Sequence, residues 1–91
     1  MNGIRFYHEF TNTRKRQSAG TIVAACVCNG VFFSTGKACY EAFVGVFDQP
    51  DSPVNFSAVS LDYLRTRCKR VSERQAREIH PRLFERLEQK P

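Results

Sequence analysis

Residues 20–34, GTIVAACVCNGVFFS, form the longest apolar run in the chain. At its centre stands Asn29-Gly30, a dipeptide that accepts positive φ at both residues, as a two-residue type I′ hairpin turn requires. We therefore predict two antiparallel strands, over 21–28 and 31–35, hinged at that turn. Both faces of the first strand are apolar, which indicates a central strand that is covered on both sides. The rest of the chain is expected to pack on or beside this hairpin.

The sequence on either side of this run predicts further strands. Residues 4–11, IRFYHEFT, alternate partly and are rich in aromatic and β-branched side chains, which is typical of a strand with one buried face. The polar segment 12–19 is interpreted as an exposed loop. Residues 34–37, STGK, are a second turn signal. We favour a fourth strand over 38–47, with a helix at its start as the alternative, because Gly45 and its β-branched neighbours cost helix stability.

After residue 47 the pattern changes from strands to helices. Residues 48–56 contain two prolines and two aspartates and are predicted to form a loop, with helices over about 57–89. Ser57 or Ser60 can cap the first helix. Four apolar side chains at helical spacing predict its buried face: Leu61, Leu64, Cys68 and Val71.

The start of the second helix and the break after it have local signals. Ser72 and Gln75 match a capping box, S-x-x-Q, which predicts a helix start. The residue before a proline avoids the α region, so His80 is expected to end or kink this helix and Pro81 to open a short third one. Strands followed by helices is the α+β order. We predict one domain, 1–91, in which a three- to four-stranded antiparallel β-meander carries two or three C-terminal helices on one face.

The composition describes a small basic globular protein, with 42% hydrophobic residues, a net charge of +5 and a pI of about 9.3. No segment approaches the roughly 20 apolar residues of a membrane span. The N-terminal residues lack the basic and apolar regions of a secretory signal. We therefore expect a cytoplasmic protein that does not associate with membranes.

The four cysteines, Cys26, Cys28, Cys39 and Cys68, are expected to be reduced in that compartment. Structural zinc sites normally use two C-x₂₋₄-C knuckles on turns, whereas this chain has one C-x-C inside an apolar run. We therefore predict that the cysteines pack as small apolar side chains. No metal site and no cofactor are expected.

The sequence contains no recognisable catalytic constellation. Its two histidines, His8 and His80, are isolated, and the single GK dipeptide lacks the frame of a phosphate-binding loop. We therefore expect a non-enzymatic protein-binding or regulatory module. Its partner is expected to be another protein or a second copy of the chain, with strand one or strand four pairing across a two-fold axis.

The uneven distribution of charge gives the alternative function. Residues 57–91 carry nine basic and five acidic side chains, an excess of +4, against five and four, an excess of +1, in 1–56. Part of the excess fits i,i+4 pairs, such as Glu73 with Arg77, on a solvated helix face. The alternative is a nucleic-acid-binding module that uses a basic loop and a basic helical face. Its candidate residues are Arg14, Lys15, Arg16, Arg65, Arg67, Lys69, Arg70 and Arg74.

Overall fold

A computed structural model describes residues 3–9, 21–45 and 54–88 of the chain. An antiparallel sheet of six strands and three helices in these ranges confirm the α+β class. The elements follow one another as β1 (Ile4–Glu9), β2 (Ile22–Cys26), β3 (Phe32–Ser34), β4 (Lys37–Gly45), β5 (Val54–Ser60), α1 (Leu61–Arg67), β6 (Cys68–Val71), α2 (Glu73–Ile79) and α3 (Pro81–Glu88). The predicted loop over 12–19 lies outside the described residues.

The sheet is built around β4, which pairs with β2, β3 and β5. β5 runs along one side of β4 over 39–45. On the other side, β3 pairs with 37–39 and β2 with 42–45, so these two strands form one interrupted strand. β1 lies between β2 and β6. Across the sheet the order is therefore β5, β4, β2 with β3, β1 and β6.

The hairpin predicted at Asn29-Gly30 is wrong, because β2 and β3 do not pair with each other. A 3₁₀ turn, Val27–Asn29, separates them, and the Asn29 side chain donates a hydrogen bond to Glu41 Oε1 at 3.1 Å. The chain reverses instead at the second turn signal. Thr35 and Gly36 have φ of 50° and 80° and join β3 to β4 by a two-residue turn of the type I′ kind.

The predicted count of three to four strands is also wrong, because two further segments are extended. Residues 54–56, expected in a loop, and 57–60, expected in a helix, together form β5 in an unbroken register with β4. The predicted first helix ends at Arg67, and the residues after it form β6, which pairs with β1. In β6, Val71 lies opposite Phe6 and packs against the same core that a longer helix was expected to reach.

Helices cover both faces of the sheet, and not one face as predicted. α2 and α3 pack on the face that carries one buried cluster: Phe6, Ile22, Ala24, Ala76, Leu83 and Phe84. α1 packs on the opposite face, over a second cluster: Val23, Ala25, Ala42, Val59 and Leu64. β2 is buried along its whole length between them, as its two apolar faces predicted.

The local helix signals are confirmed. Ser60 caps α1, since the Tyr63 N–H donates to its Oγ at 3.1 Å. The reciprocal bonds of the capping box between Ser72 and Gln75 are both present. α2 ends before His80, and Pro81 opens α3.

Candidate functional site

One open part of the described structure is the outer edge of β5. Within the described ranges this strand pairs with β4 alone, so its outward backbone N–H and C=O groups face no other strand. Four consecutive residues of the strand, 55–58, are exposed. The seven-residue sequence VNFSAVS contains no charge and no proline, and its register shows no bulge. Over residues 54–60 this strand therefore has no charge, proline or bulge that would prevent a further strand from adding.

The opposite edge of the sheet has a different character. β6 is four residues long and, in the part of the chain that the structure describes, pairs with β1 alone. Its central residues, Lys69 and Arg70, are exposed and place positive charge on the two faces of the strand. Charged side chains, lysine above all, discourage pairing at a sheet edge. The sheet thus has one charged edge and one neutral edge.

Strands one and four, which were expected to be the edges, are internal. β1 is flanked by β2 and β6, and β4 by β5 on one side and by β2 and β3 on the other. The prediction of pairing through either strand is therefore wrong. Edge pairing has to involve β5, β6 or the three-residue β3, which within the described ranges pairs with β4 alone.

An aromatic side chain stands beside the β5 edge. Phe56 is 49% exposed, and its ring packs against Phe43 with centroids 4.8 Å apart and planes at 58°. The Arg86 guanidinium lies 5.6 Å from the centroid of the Phe43 ring. Phe56 is therefore held by neighbours on one side and presents apolar area to solvent on the other, next to the open backbone.

A shallow cavity of about 400 Å³ lies on the α1 side of the sheet, next to β5. Its walls include Ser57, Val59 and Tyr63, with Val23 and Val44 from neighbouring strands. The Tyr63 hydroxyl donates a hydrogen bond to Glu9 Oε1 at 2.8 Å. Burial and this bond raise the pKa of Tyr63 well above its ordinary value, so the hydroxyl stays protonated. The lining offers apolar contact and hydroxyl groups.

A second exposed apolar patch lies where β3 begins. Val31, Phe32 and Phe33 are 48%, 36% and 74% exposed. Phe32 and Phe33 lie on opposite faces, since they pair with successive residues of β4. The side chains of this patch therefore do not converge on one binding surface.

The cysteines all lie in the described ranges, and none is in a disulfide. Cys26 and Cys39 are buried as predicted, and Cys68 is half-buried. The prediction is wrong for Cys28, which is exposed because the chain leaves the sheet at the 3₁₀ turn. Burial raises the pKa of Cys68 and outweighs the opposite effects of the Tyr63 hydrogen bond and the Arg67 charge, which disfavours a reactive thiolate.

The described residues contain no group of three or more His, Cys, Asp or Glu side chains placed to hold a metal ion. The two histidines differ in how deeply they are buried. His8 is half-buried on β1, and burial lowers its pKa while the neighbouring Glu9 partly offsets the effect. His80 is buried between α2 and α3, against Gly45. Neither histidine lines the cavity beside β5.

The basic candidates are distributed over several elements. Arg14, Lys15 and Arg16 lie outside the described residues. The other five are exposed: Arg65 and Arg67 on α1, Lys69 and Arg70 on β6, and Arg74 on α2. The Arg65 guanidinium lies 3.6 Å from the Asp62 carboxylate. The structure thus places Lys69 and Arg70 on the edge strand β6 and Arg67 at the end of α1 just before it, but does not place all five on one helical face.

The β5 edge is not among the sequence predictions, which place its residues in a loop and a helix. A period-two signal was present. Val54, Phe56 and Ala58 alternate with the polar Asn55 and Ser57, which is typical of a strand.

Comparison of the chain with family models, with curated proteins and with solved structures finds no match in any of the three. Within the described residues, no helix has both the length and the apolar character needed to cross a bilayer. Function has therefore to be inferred from the geometry of this fold.

Proposed function

We propose that this chain is a non-enzymatic protein-binding module that receives an extended protein segment at the outer edge of β5. The observation that carries the proposal is the neutral, exposed, seven-residue strand with an open outer side in the described structure. In strand addition of this kind, main-chain hydrogen bonds supply affinity and alternate side chains supply specificity. We further propose that the protein acts in the cytoplasm, where its cysteines stay reduced.

The two faces of β5 would contact different kinds of side chain on the added segment. Phe56 and Ala58 lie on the face of α2 and α3, where an apolar side chain of the partner can cover the exposed part of the Phe56 ring. Asn55 and Ser57 lie on the α1 face and offer an amide and a hydroxyl beside the cavity. This division supports a preference for a segment that is apolar on one face and polar on the other.

A photo-cross-linking experiment tests the binding edge directly. Phe56→benzoylphenylalanine puts the reactive group beside β5, and Glu78→benzoylphenylalanine puts it on the exposed surface of α2 as a matched control. In the producing cells we expect a covalent adduct to a polypeptide from position 56 and none from position 78. Equal adducts at the two positions, or none at position 56, would contradict the proposal.

A charge on the edge should remove that adduct. Ser57→Lys places a cation on the α1 face of the open strand, where it hinders an incoming strand as Lys69 does on β6. Ser57→Thr keeps the hydroxyl and favours the extended conformation. We expect the adduct at position 56 to be lost with the lysine and kept with the threonine. Far-UV circular dichroism checks that both variants retain the fold.

Nucleic-acid binding is the second candidate, and the exposed cluster of Arg67, Lys69 and Arg70 favours it. Contacts with phosphates would make the affinity fall steeply between about 50 and about 200 mM salt. Fluorescence anisotropy with DNA and RNA oligonucleotides measures this. The double variant Arg67→Ser with Arg70→Ser should weaken binding and reduce the salt dependence.

The double variant Lys37→Ser with Arg82→Ser removes the same charge from exposed positions elsewhere and serves as the control. Equal effects of the two double variants would indicate attraction by net charge without a site. An affinity that does not change with salt would rule out this second function.

A further inference from the structure

We infer that the segment received at the β5 edge is the β5 strand of a second copy of this chain. The two strands would pair antiparallel about a two-fold axis that passes beside Ser57. This inference rests on the proposed function, which identifies the edge, and adds the identity of the occupant. It follows from the self-complementarity of the strand, the contrast with β6, and the continuity of the contact with the core.

The sequence of β5 is complementary to itself in this register. Phe56 of one copy lies opposite Ala58 of the other, and Val54 lies opposite Ser60, so each larger side chain meets a smaller one. Directly opposite residues in an antiparallel pair have Cβ atoms about 4.5–5.5 Å apart, close enough for these contacts. The two-fold axis repeats each contact, and Ser57 meets its own copy.

The charge pattern favours self-pairing at β5 and opposes it at β6. Near the axis of a two-fold pair each residue lies close to its own copy, so a charge there would oppose pairing, and β5 carries none. An antiparallel β6 pair would bring Lys69 and Arg70 opposite the same residues of the other copy, and like charges opposite each other are destabilising. The two edges thus predict a closed dimer, with β5 at its centre and β6 at both ends of a continuous sheet.

The contact continues a core that already exists in each copy. Phe43 and Val54 are partly buried side chains that pack on the cluster under α2 and α3, and Phe56 packs against Phe43. In the dimer, the exposed part of each Phe56 ring would cover Ala58 of the other copy. Apolar area that is exposed in one copy would then be buried next to that cluster.

The expected strength is modest. The area buried by pairing two seven-residue strands is small compared with the about 1,200–2,000 Å² that a standard stable interface buries. We therefore expect a monomer–dimer equilibrium that depends on concentration. Sedimentation equilibrium should show the average mass rising from that of one chain towards that of two as the concentration increases.

Site-specific disulfide formation tests the register. In the proposed dimer the two copies of residue 57 lie opposite each other, whereas the two copies of residue 55 are four residues apart along the strands, or about 13 Å. A disulfide needs Cα atoms within about 7 Å. Ser57→Cys should therefore link two copies, and Asn55→Cys, exposed on the same face, should not.

Both variants are made with Cys28→Ser, which removes the exposed native thiol. Oxidised glutathione accepts the two electrons and becomes two molecules of reduced glutathione, as two thiols lose their protons and form the bond. Linkage at position 57 and not at position 55 is the expected result. Equal linkage at both positions, or none at 57, would overturn the register.

Ser57→Lys gives an independent test, since it places two cations opposite each other on the axis. We expect the dimer dissociation constant to rise at least about tenfold, while Ser57→Thr leaves it within about threefold. A dimer unaffected by Ser57→Lys would show that the copies meet elsewhere and would overturn the inference. A chain that stays monomeric at all concentrations, with a different protein cross-linked at Phe56, would overturn the inference and leave the proposed function standing.

Discussion

Gly45 lies where the backbone of β4 comes closest to the imidazole of His80. A Cβ at this position would lie 2.9 Å from ring atoms Cδ2 and Nε2 of His80 and from Cγ2 of Ile22. Ile22 is fully buried and His80 nearly so, and neither has room to move away. A side chain even as small as methyl is therefore excluded by close packing.

Gly45→Ala should destabilise the fold for this reason. Overpacking a core typically costs about 1–3 kcal/mol, and this outweighs the about 0.4–1 kcal/mol gained from a less flexible unfolded chain. Urea denaturation measures the loss. Glu78→Ala on the exposed surface of α2 is the control and should change the free energy of unfolding by less than about 0.5 kcal/mol. A Gly45→Ala variant as stable as the wild type would contradict the close approach.

His8 should make stability depend on pH on the acid side of neutrality. Burial lowers its pKa below the ordinary value of 6.5, so the unfolded chain takes up a proton before the folded chain does. The associated stability is complete above pH 6.5 and is lost as the pH falls towards the folded pKa. His8→Gln should make the fall in unfolding free energy between pH 7.5 and pH 5 smaller than in the wild type. Equal slopes for the two proteins would refute this assignment.

Of the structural elements, those with local signals could be predicted from the sequence. Hydrogen bonds and steric contacts within three or four residues determine the caps at Ser60 and Ser72 and the break before Pro81. All the residues involved are therefore close together in the sequence. The Thr35-Gly36 turn was equally visible. The competing signal at Asn29-Gly30 failed because Asn29 belongs to a 3₁₀ turn and only Gly30 takes positive φ, whereas a type I′ turn needs both.

The contribution of the capping box to stability can be measured at the N-terminus of α2. Ser72→Ala removes the acceptor for the Gln75 N–H, now bonded at 3.1 Å, and should cost about 0.5–2 kcal/mol. Gln75→Ala removes the reciprocal bond to the Ser72 N–H at 3.0 Å. In a double-mutant cycle the two losses should not add, because the bonds form one unit. Strict additivity would mean that the capping box does not act cooperatively.

β5 and β6 could not be predicted in the same way, because partners distant in sequence decide their conformation. The spacing of Leu61, Leu64, Cys68 and Val71 fits a helix, but β1 offers the last two residues a strand partner through Glu9 and Phe6. β5 similarly follows the long register that β4 provides. Short apolar patterns fit either conformation, and tertiary pairing decides between them.

Whether β5 offers an open edge depends on the whole sheet and not only on the residues of β5. The strand at the edge is determined by the order of all the strands, and that order depends on α1, which crosses one face from the β5 edge to the β6 edge. α1 lies over one face of the sheet, and α2 and α3, which follow β6 in the chain, cover the other face. Strand alternation could have indicated that 54–60 is extended, but not that its outer side is open.

The two edges together should determine how far the molecule assembles. If β5 pairs with its copy, each dimer ends in two β6 strands, where Lys69 and Arg70 oppose further pairing. Lys69→Thr with Arg70→Thr removes this protection and favours the extended conformation. Each dimer then has two open ends, and repeated pairing through β5 and β6 generates filaments and not a closed assembly.

Light scattering and thioflavin fluorescence should detect that growth in the double variant. Arg65→Thr with Arg67→Thr is the matched control, because it removes the same two charges from α1 and leaves β6 unchanged. We expect the control to remain in the monomer–dimer equilibrium, since lower net charge alone does not open an edge. Growth in both variants would attribute assembly to net charge, and growth in neither would show that Lys69 and Arg70 do not protect the edge. Growth in the β6 variant that Ser57→Lys then abolishes would show that the filament also needs the contact between two β5 strands.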